Sequence, residues 1–481
     1  MKKTLILITS ILSLGLFNSC GEDILDLKPP YEEVLEDAIK TEQDAYRFLL
    51  GGYLKMSSSS LYGSNLFFYG DLLGDSFFRS NTNFSGFSNV IQMNYDPTNT
   101  GEINFYRSAY DVIQSVNFVI NNELPDSQTN RQYKAEASFL RAYSYFTLLN
   151  YYSSSPKSGQ NQEIGVPIAT YPYNGDVKNP RASVSEIYTM IINDLNYAVE
   201  NSSEKPESKI YASKTAAKLL LSRVYLTRQA SGDAQLAYNL STDIVTASEA
   251  GNSSFVLLTN ETAYDNYFSS SNDLVSENQP ETVWELDLNP QNNPGVNNAL
   301  SVYYSRTGGR RSMLAKASLY SSFATTDIRR KLFTTQSAPT TDNPQGVWIR
   351  KHERPSSLGN YMRNTKVLRV SEAYLNQVEA LYQLGNNAQS LIKLNEFALK
   401  RKGNTYTGTN LLNDILTERN KEFFGEGQRF LDLKRYNLPL NKGTNCPGNC
   451  DVPAGSKLFV FPFSINQIVL NPNAVQHPLW K

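Results

Sequence analysis

The amino-acid sequence predicts a mostly α-helical protein built from interrupted, tetratricopeptide-like helix pairs. Two stretches, 216–245 and 371–400, each carry apolar residues at three- and four-residue steps, then a glycine break, then a second periodic run. The breaks are Gly232-Asp233 and Gly385-Asn386, where glycine can adopt the left-handed conformation of a tight turn. The pairs do not recur at a regular spacing of about 34 residues, so insertions separate them. Periodicity alone also fits generic antiparallel helix pairs.

Further elements can be placed along the chain. Residues 41–44 (TEQD) form a variant of the capping box and residues 183–186 (SVSE) a clean one, so each predicts a helix start. Apolar periodicity predicts another helix over 134–152. Residues 281–286 alternate, which predicts a short strand with Trp284 in the core.

Long loop-rich insertions separate the helices. The longest are 56–101, 153–182 and 251–365. Loops of this length are usually functional or disordered, and their many aromatic residues argue against disorder. The insertions are therefore the places where a binding site is expected.

The charge balance excludes a strongly basic nucleic-acid-binding protein. The chain has 45 Lys and Arg against 46 Asp and Glu. Removal of residues 1–19 would take Lys2 and Lys3 away and leave 43 basic and 46 acidic residues, a net charge of −3. Such a protein has no excess positive charge with which to displace phosphate counterions, so we expect no nucleic-acid partner.

The N-terminus has the pattern of a targeting segment. Lys2 and Lys3 precede an apolar run over 5–17, and Ser19 precedes Cys20. The run is shorter than the roughly 20 residues that a transmembrane helix needs. Residues 1–19 are thus predicted to be a signal peptide, and the residues before Cys20 resemble a bacterial lipoprotein signal with Cys20 as the lipidated residue. An ordinary secretory signal is the alternative.

The other two cysteines lie close together. Cys446 and Cys450 flank a Pro447-Gly448 turn pair, and an exported protein favours a disulfide between them. A zinc site would need four ligands, and no His or further Cys lies nearby. Free thiols remain an alternative, and we expect neither a metal site nor a cofactor.

No catalytic signature stands out in the sequence. It contains no G-x-S-x-G, H-E-x-x-H or P-loop motif, and His352 and His477 are isolated. The segment 418–435 is rich in charges, with Glu at four-residue steps and basic residues between them, which is more typical of ion pairs than of an acid–base site. We therefore expect no enzymatic activity. A surface glycoside hydrolase, which needs only two suitably spaced carboxylates, stays open as an alternative.

Several segments, in the same order along the chain, resemble the SusD/RagB family of Bacteroidetes outer-membrane nutrient-binding lipoproteins. The most specific is ERNKEFFGEGQRFLDLKR at 418–435. The others are ILDLKP at 24–29, AEASFLRAYSYF at 135–146, AAKLLLSRVY at 216–225, VLRVSEAYLNQVEA at 367–380, FPFSINQI at 461–468 and NPNAVQHP at 471–478.

The resemblance implies an architecture and a location. A tether over 20–30 would carry the lipid, and 31–481 would form a single domain with a helical-repeat scaffold, an α-superhelix. The protein would sit on the outer membrane and face the cell exterior. It would deliver its ligand to a SusC-like, TonB-dependent transporter. Family ligands are glycans in many members and peptides in some, so glycan and peptide both remain open.

The resemblance also implies where the ligand binds. The candidate ligand-binding residues are Asp75, Arg79, Tyr303, Tyr304, Arg306 and Trp348. The stretch with Asp75 and Arg79 lies close to the ligand in glycan-binding members. Tyr and Trp offer both a flat apolar face and a hydrogen-bonding group to a sugar, although core packing explains Tyr303 and Tyr304 equally well. A neutral glycan would favour the tyrosines, and an anionic one the arginines at 306, 310 and 311.

Overall fold

A series of antiparallel helices forms the frame of the protein. The structure is a computed structural model that describes residues 38–80, 86–172, 174–251, 253–306, 309–334, 346–353 and 363–481. The predicted signal peptide and the whole predicted tether over 20–30, with Cys20, lie outside these residues. The helices of the first half are α1 Glu42–Met56, α2 Asn65–Leu73, α3 Ser88–Ile91, α4 Phe105–Ile120, α5 Gln128–Tyr152, α6 Val184–Asn201, α7 Lys214–Arg228 and α8 Asp233–Glu249.

The second half mixes helices with short strands. Its helices are α9 Glu261–Ser269, α10 Leu300–Tyr304, α11 Ala317–Ser321, α12 Val370–Gln383, α13 Asn387–Lys400, α14 Leu411–Phe423, α15 Arg429–Arg435 and α16 Ile465–Leu470. The strands of the whole chain are β1 Phe77–Arg79, β2 Thr282–Leu286, β3 Met313–Lys316, β4 Phe333–Thr334, β5 Gly346–Ile349, β6 Thr365–Arg369, β7 Leu440–Asn441 and β8 Asp451–Val452. Within the described ranges, no helix is both apolar enough and long enough to span a membrane.

The two predicted helix pairs form and pack against each other. Gly232 and Gly385 both have positive φ, +87° and +78°, at the breaks before α8 and α13. Helix α8 packs on α12, which joins α7/α8 to α12/α13, and α1, α4, α5 and α6 continue the series. Arg223 of α7 binds Glu372 of α12 through two N···O contacts of 2.5 and 2.6 Å. The mostly α, tetratricopeptide-like prediction is confirmed.

The helix starts also follow the sequence. Thr41 and Ser183 form reciprocal capping boxes with Asp44 and Glu186. Such caps satisfy backbone N–H groups that a helix end leaves without partners. The segment 281–286 contains the expected strand, β2, which pairs antiparallel with β6. Its Trp284 is fully buried.

The insertions contain more regular structure than their composition suggested. Helix α2, strand β1 and helix α3 all fall inside 56–101. Eight of the nine residues of α2 are buried, so this helix belongs to the core. The insertion 251–365 supplies β3, β4 and β5, which join β1 in a sheet of order β1-β3-β5-β4. One apolar cluster runs from Leu49 to Ala474 and underlies both insertions.

A disulfide fixes the β7–β8 hairpin. Cys446 and Cys450 are joined, with their Cα atoms 5.7 Å apart. Next to it, Asn449 Nδ2 donates to the carbonyls of Gln92 and Met93, at 3.2 and 3.1 Å. The loop is too small for much chain-entropy stabilisation, so its role is local: it holds the hairpin against the residues that follow α3.

Candidate functional site

Strand pairing brings several predicted ligand residues to one end of the four-stranded sheet. Arg79 ends β1 and pairs with Met313, which begins β3. In β5, the indole N–H of Trp348 donates to the carbonyl of Arg311, with an N···O distance of 3.2 Å. The guanidinium carbon of Arg306 lies 5.7 Å from the centroid of the Trp348 ring. We call this end of the sheet, with Arg79, Arg306, Arg311 and Trp348, the rim.

Trp348 lies on the sheet face that points away from the main core. Phe78, Leu314 and Trp348 form a small separate apolar cluster there. The indole is only 3% exposed, whereas Arg306 is exposed. The rim therefore offers solvent a guanidinium that is supported by an aromatic face, a cation–π arrangement. Such a group can donate charge-assisted hydrogen bonds to hydroxyl, carboxylate or sulfate oxygens.

Arg79 is bound to the segment that follows β1. Its Nη1 donates to the carbonyl of Gly86 and, at 3.0 Å, to the hydroxyl of Ser88. Ser88 N–H donates to Glu102 at 2.9 Å. Burial lowers the pKa of Arg79, and the charge of Glu102 acts in the opposite direction. Arg79 thus forms one fixed side of the rim.

Tyr303 and Tyr304 are buried in α10, which ends two residues before Arg306. The Tyr303 ring lies 4.7 Å from that of Phe68, and its hydroxyl donates to the carbonyl of Asn297 at 2.9 Å. Tyr304 is fully buried. Its hydroxyl donates to the carboxylate of Asp71 at 2.5 Å. In this structure both rings pack in the core, and their visible effect is to anchor the short helix that leads to Arg306.

Asp75 lies at the opposite end of β1 from the rim. Its two carboxylate oxygens accept from Arg429 Nε and Nη2, both at 2.8 Å. Burial alone would raise the pKa of Asp75, but the hydrogen bonds and charge of Arg429 lower it overall. The structure therefore brings Arg79, Arg306 and Trp348 together and leaves Asp75 in a separate cleft.

Asp71 supports the rim from below, and sequence reasoning missed it. Its carboxylate accepts from the Tyr304 hydroxyl and, at 3.1 Å, from the backbone N–H of Gly427. The carboxyl thereby joins α2, α10 and the segment between α14 and α15. Burial raises its pKa from 3.8 to about 7, although both hydrogen bonds act in the opposite direction. The signal was available: Asp71 is the one charged residue in the apolar run 65–73.

Asp71→Asn is expected to reduce the pH dependence of stability between about pH 4 and 7. Because the folded state holds the Asp71 proton more tightly than the unfolded state, the free energy of unfolding falls as pH rises through this window. The contribution is at most about 4 kcal/mol. Glu136, whose pKa burial also raises to about 7, adds a slope of the same sign in both proteins. Urea denaturation of wild type and D71N at several pH values measures the difference, and parallel curves would contradict it.

The charged segment 418–435 is part of a buried ion-pair network. Glu422 lies 2.8 Å from both Arg369 and Arg401, and Glu426 lies 2.8 Å from Arg369. The charges of the three arginines around Glu422 keep its pKa low despite its complete burial. The ion-pair interpretation is confirmed, because these carboxylates are held by structural partners.

The two histidines are also bound internally. His352 Nε2 is hydrogen-bonded to the carbonyl of Gly425 at 2.5 Å, and His477 Nε2 to the hydroxyl of Ser154 at 3.3 Å. Burial lowers the pKa of His352 to about 4 and that of His477 to about 3. Both are therefore neutral near pH 7.

Two regions of the chain match described protein families. Residues 23–226 match "Starch-binding associating with outer membrane", and residues 293–480 match "SusD family". A SusD-like protein of Bacteroides ovatus is 25% identical to this chain. The match covers 90% of this chain and 82% of the relative's length. A SusD-like protein of Formosa agariphila is 27% identical over 40% of this chain, and that match spans 36% of the relative's own length.

Solved structures show the same fold. A putative sugar binding protein from Bacteroides vulgatus is 25% identical, with a TM-score of 0.80 over 92% of this chain and 100% of that one. A surface glycan-binding protein A from Bacteroides fluxus is similar at 22% identity, with a TM-score of 0.71 over 91% of this chain and 99% of that one. The matched regions, the relatives and the fold agree, and the chain belongs to the SusD/RagB family.

Proposed function

We propose that this protein is a lipid-anchored, outer-membrane binding protein that captures a glycan at the rim and delivers it to a SusC-like, TonB-dependent transporter. The observation that carries the proposal is the exposed guanidinium of Arg306 above Trp348, at the sheet end that also holds Arg79 and Arg311. One of the two matching family descriptions is starch-binding, and two similar structures bear sugar-binding or glycan-binding names.

The proposed mechanism needs binding without bond cleavage. Ligand hydroxyls would accept hydrogen bonds from the rim arginines while the rest of the sugar lies along the loops around the sheet. Lipidation of Cys20 would keep the protein on the membrane. A tether raises the effective concentration of bound ligand at the transporter mouth without any new contact. Capture, closure over the transporter and inward release would follow in that order.

Arg306→Ala is expected to weaken glycan binding about 10- to 100-fold, because a hydrogen bond from a charged group contributes about 1.5–3 kcal/mol. The measurement is isothermal titration with a panel of polysaccharides, including neutral and anionic ones. Arg330→Ala is the matched control, since Arg330 also lies over an aromatic ring, Tyr320 at 4.5 Å, in a different part of the fold. Equal losses in both variants, or no loss in R306A, would contradict a ligand site at the rim.

The same titrations separate the glycan proposal from its alternatives. A peptide digest that binds while every polysaccharide fails would make this a peptide-binding member of the family. New reducing ends after incubation with a polysaccharide, abolished by one Asp or Glu substitution, would show a hydrolase. Radiolabelled palmitate on the wild type, lost in Cys20→Ser, tests the anchor. Co-purification of an outer-membrane β-barrel with the tagged protein tests the transporter partner.

A further inference from the structure

An open cleft at the far end of the sheet differs in chemistry from the rim. Its volume is about 450 Å³, within the range of about 300–1,000 Å³ that is usual for ligand sites. It lies where β1 begins and β3 ends, between α11, α14 and the residues that follow β7. Apart from its charged residues, most side chains that line the cleft carry hydroxyl or amide groups, among them Ser318 and Asn420. Among the described residues, no aromatic ring lines it.

Two lysines give the cleft a positive charge that its own carboxylate does not cancel. Lys316 and Lys442 are each only 5% exposed. The Lys316 ammonium donates to the carbonyl of Lys442, and the Lys442 ammonium donates to the carbonyls of Leu72 and Ile91 at 2.8 and 3.1 Å. These partners are neutral. Asp75 is the carboxylate of the cleft, and both of its oxygens bind Arg429.

Buried ammonium groups are costly unless they meet a counter-charge. An ammonium group has three N–H donors. Lys316 uses one of them on the carbonyl of Lys442, and Lys442 uses two on the carbonyls of Leu72 and Ile91. Each group therefore keeps at least one donor for a ligand. The hydroxyl and amide walls can pair with further polar groups, and the lack of an aromatic platform disfavours a site built on stacking against a neutral sugar ring.

We propose that this cleft is a second binding site for a polyhydroxylated oxyanion, such as a uronate or a sulfated sugar, whose anionic group lies between Lys316 and Lys442. The site is separate from the rim, so it stands or falls independently of the function proposed above. Burial and the charge of Lys316 lower the pKa of Lys442 to about 7, while Asp75 acts in the opposite direction. Arg429, the other charged group here, is neutralised by Asp75. A bound anion would restore the Lys442 proton, so binding at pH 8 should take up protons.

The test is isothermal titration of the purified protein with tri-galacturonate, with the neutral galactose trimer and with inorganic sulfate. The wild type is expected to bind tri-galacturonate at least 10-fold more tightly than the neutral trimer. At pH 8 the binding heat should depend on the ionisation heat of the buffer, as proton uptake requires. Tri-galacturonate affinity should persist in R306A, which separates this cleft from the rim.

Two variants test the cleft itself. Lys442→Met removes one ammonium, and Ser318→Glu places a competing carboxylate at an exposed position where folding tolerates it. Each is expected to weaken tri-galacturonate binding at least 10-fold. Glycan binding at the rim, which R306A weakens, should be unchanged in S318E because Ser318 lies in the cleft. Equal affinity for the neutral trimer, or an unchanged affinity in both variants, would overturn the proposal. Sulfate that binds as tightly as tri-galacturonate would overturn its saccharide part.

Discussion

Glu422→Gln is expected to lower the free energy of unfolding by about 3–5 kcal/mol, the usual cost of breaking a buried ion pair from one side. Glu422 is completely buried on α14. Its carboxylate lies within 3.3 Å of guanidinium nitrogens of three arginines, Arg329, Arg369 and Arg401. Glutamine has almost the same shape but no charge. Three buried cations would then share less counter-charge in a region that water does not reach.

The expected loss is large because the arginines come from three distant parts of the chain. Arg369 ends β6, Arg401 follows α13, and Arg329 lies in the 3-10 helix Ile328–Leu332. Glu281, which directly precedes β2, binds both Arg369 and Arg401 at 2.8 and 2.7 Å. The network therefore joins the helix pairs to the 251–365 insertion, and its weakening should loosen both.

Chemical denaturation measures the change as a shift of the midpoint at constant slope. Glu396→Gln is the matched control, because Glu396 forms an exposed i, i+3 pair with Lys393. Exposed pairs contribute about 0–1 kcal/mol, so the control should change little. A loss below about 1 kcal/mol in E422Q would mean that the remaining carboxylates neutralise the arginines without it.

This network also marks the limit of what the sequence could predict. The four-residue spacing of Glu418, Glu422 and Glu426 correctly indicated ion pairs rather than catalysis. The spacing could not say which residues are the partners, however. Helix α14 ends at Phe423, and the partners of these glutamates lie up to 93 residues away along the chain. Helix periodicity, capping residues and glycine turns are local signals and predicted α7/α8 and α12/α13 well. The partners of a buried charge depend on tertiary packing.

The rim shows the same division between local and tertiary information. Three of the candidate residues, Arg79, Arg306 and Trp348, lie together at the rim, and their role in ligand binding stays a prediction. The burial of Tyr303 and Tyr304 could not be read from the sequence, because α10 has only five residues and all of them are buried. The structure separates Asp75 from Arg79 because they lie at opposite ends of the three-residue strand β1. Asp75 binds Arg429, whereas Arg79 binds Gly86 and Ser88.

Gly70→Ala is expected to destabilise the fold by about 3 kcal/mol or more, at or beyond the upper end for overpacking. A Cβ atom at Gly70 would lie 1.8 Å from the carbonyl oxygen of Gly427 and 2.4 Å from its carbonyl carbon. Both atoms belong to the backbone, so no side-chain rotation can relieve the clash. Helix α2 would have to move away from the segment between α14 and α15, which would also separate Asp71 from the N–H of Gly427.

Gly51→Ala is the matched control, since Gly51 also lies inside a helix, α1, but its Cβ would meet only Ser115 Oγ at 3.9 Å. Alanine there should stabilise the protein by about 0.5–1 kcal/mol, because it removes the backbone entropy that glycine loses in a helix. Opposite signs for the two substitutions, measured by urea denaturation, would show that the G70A effect comes from the helix contact and not from glycine chemistry. A loss of less than about 1 kcal/mol in G70A would contradict this prediction, because α2 could then move away from Gly427 at almost no cost in free energy. The contacts of Asp71 with Gly427 and Tyr304 would then hold α10 less firmly than their distances indicate.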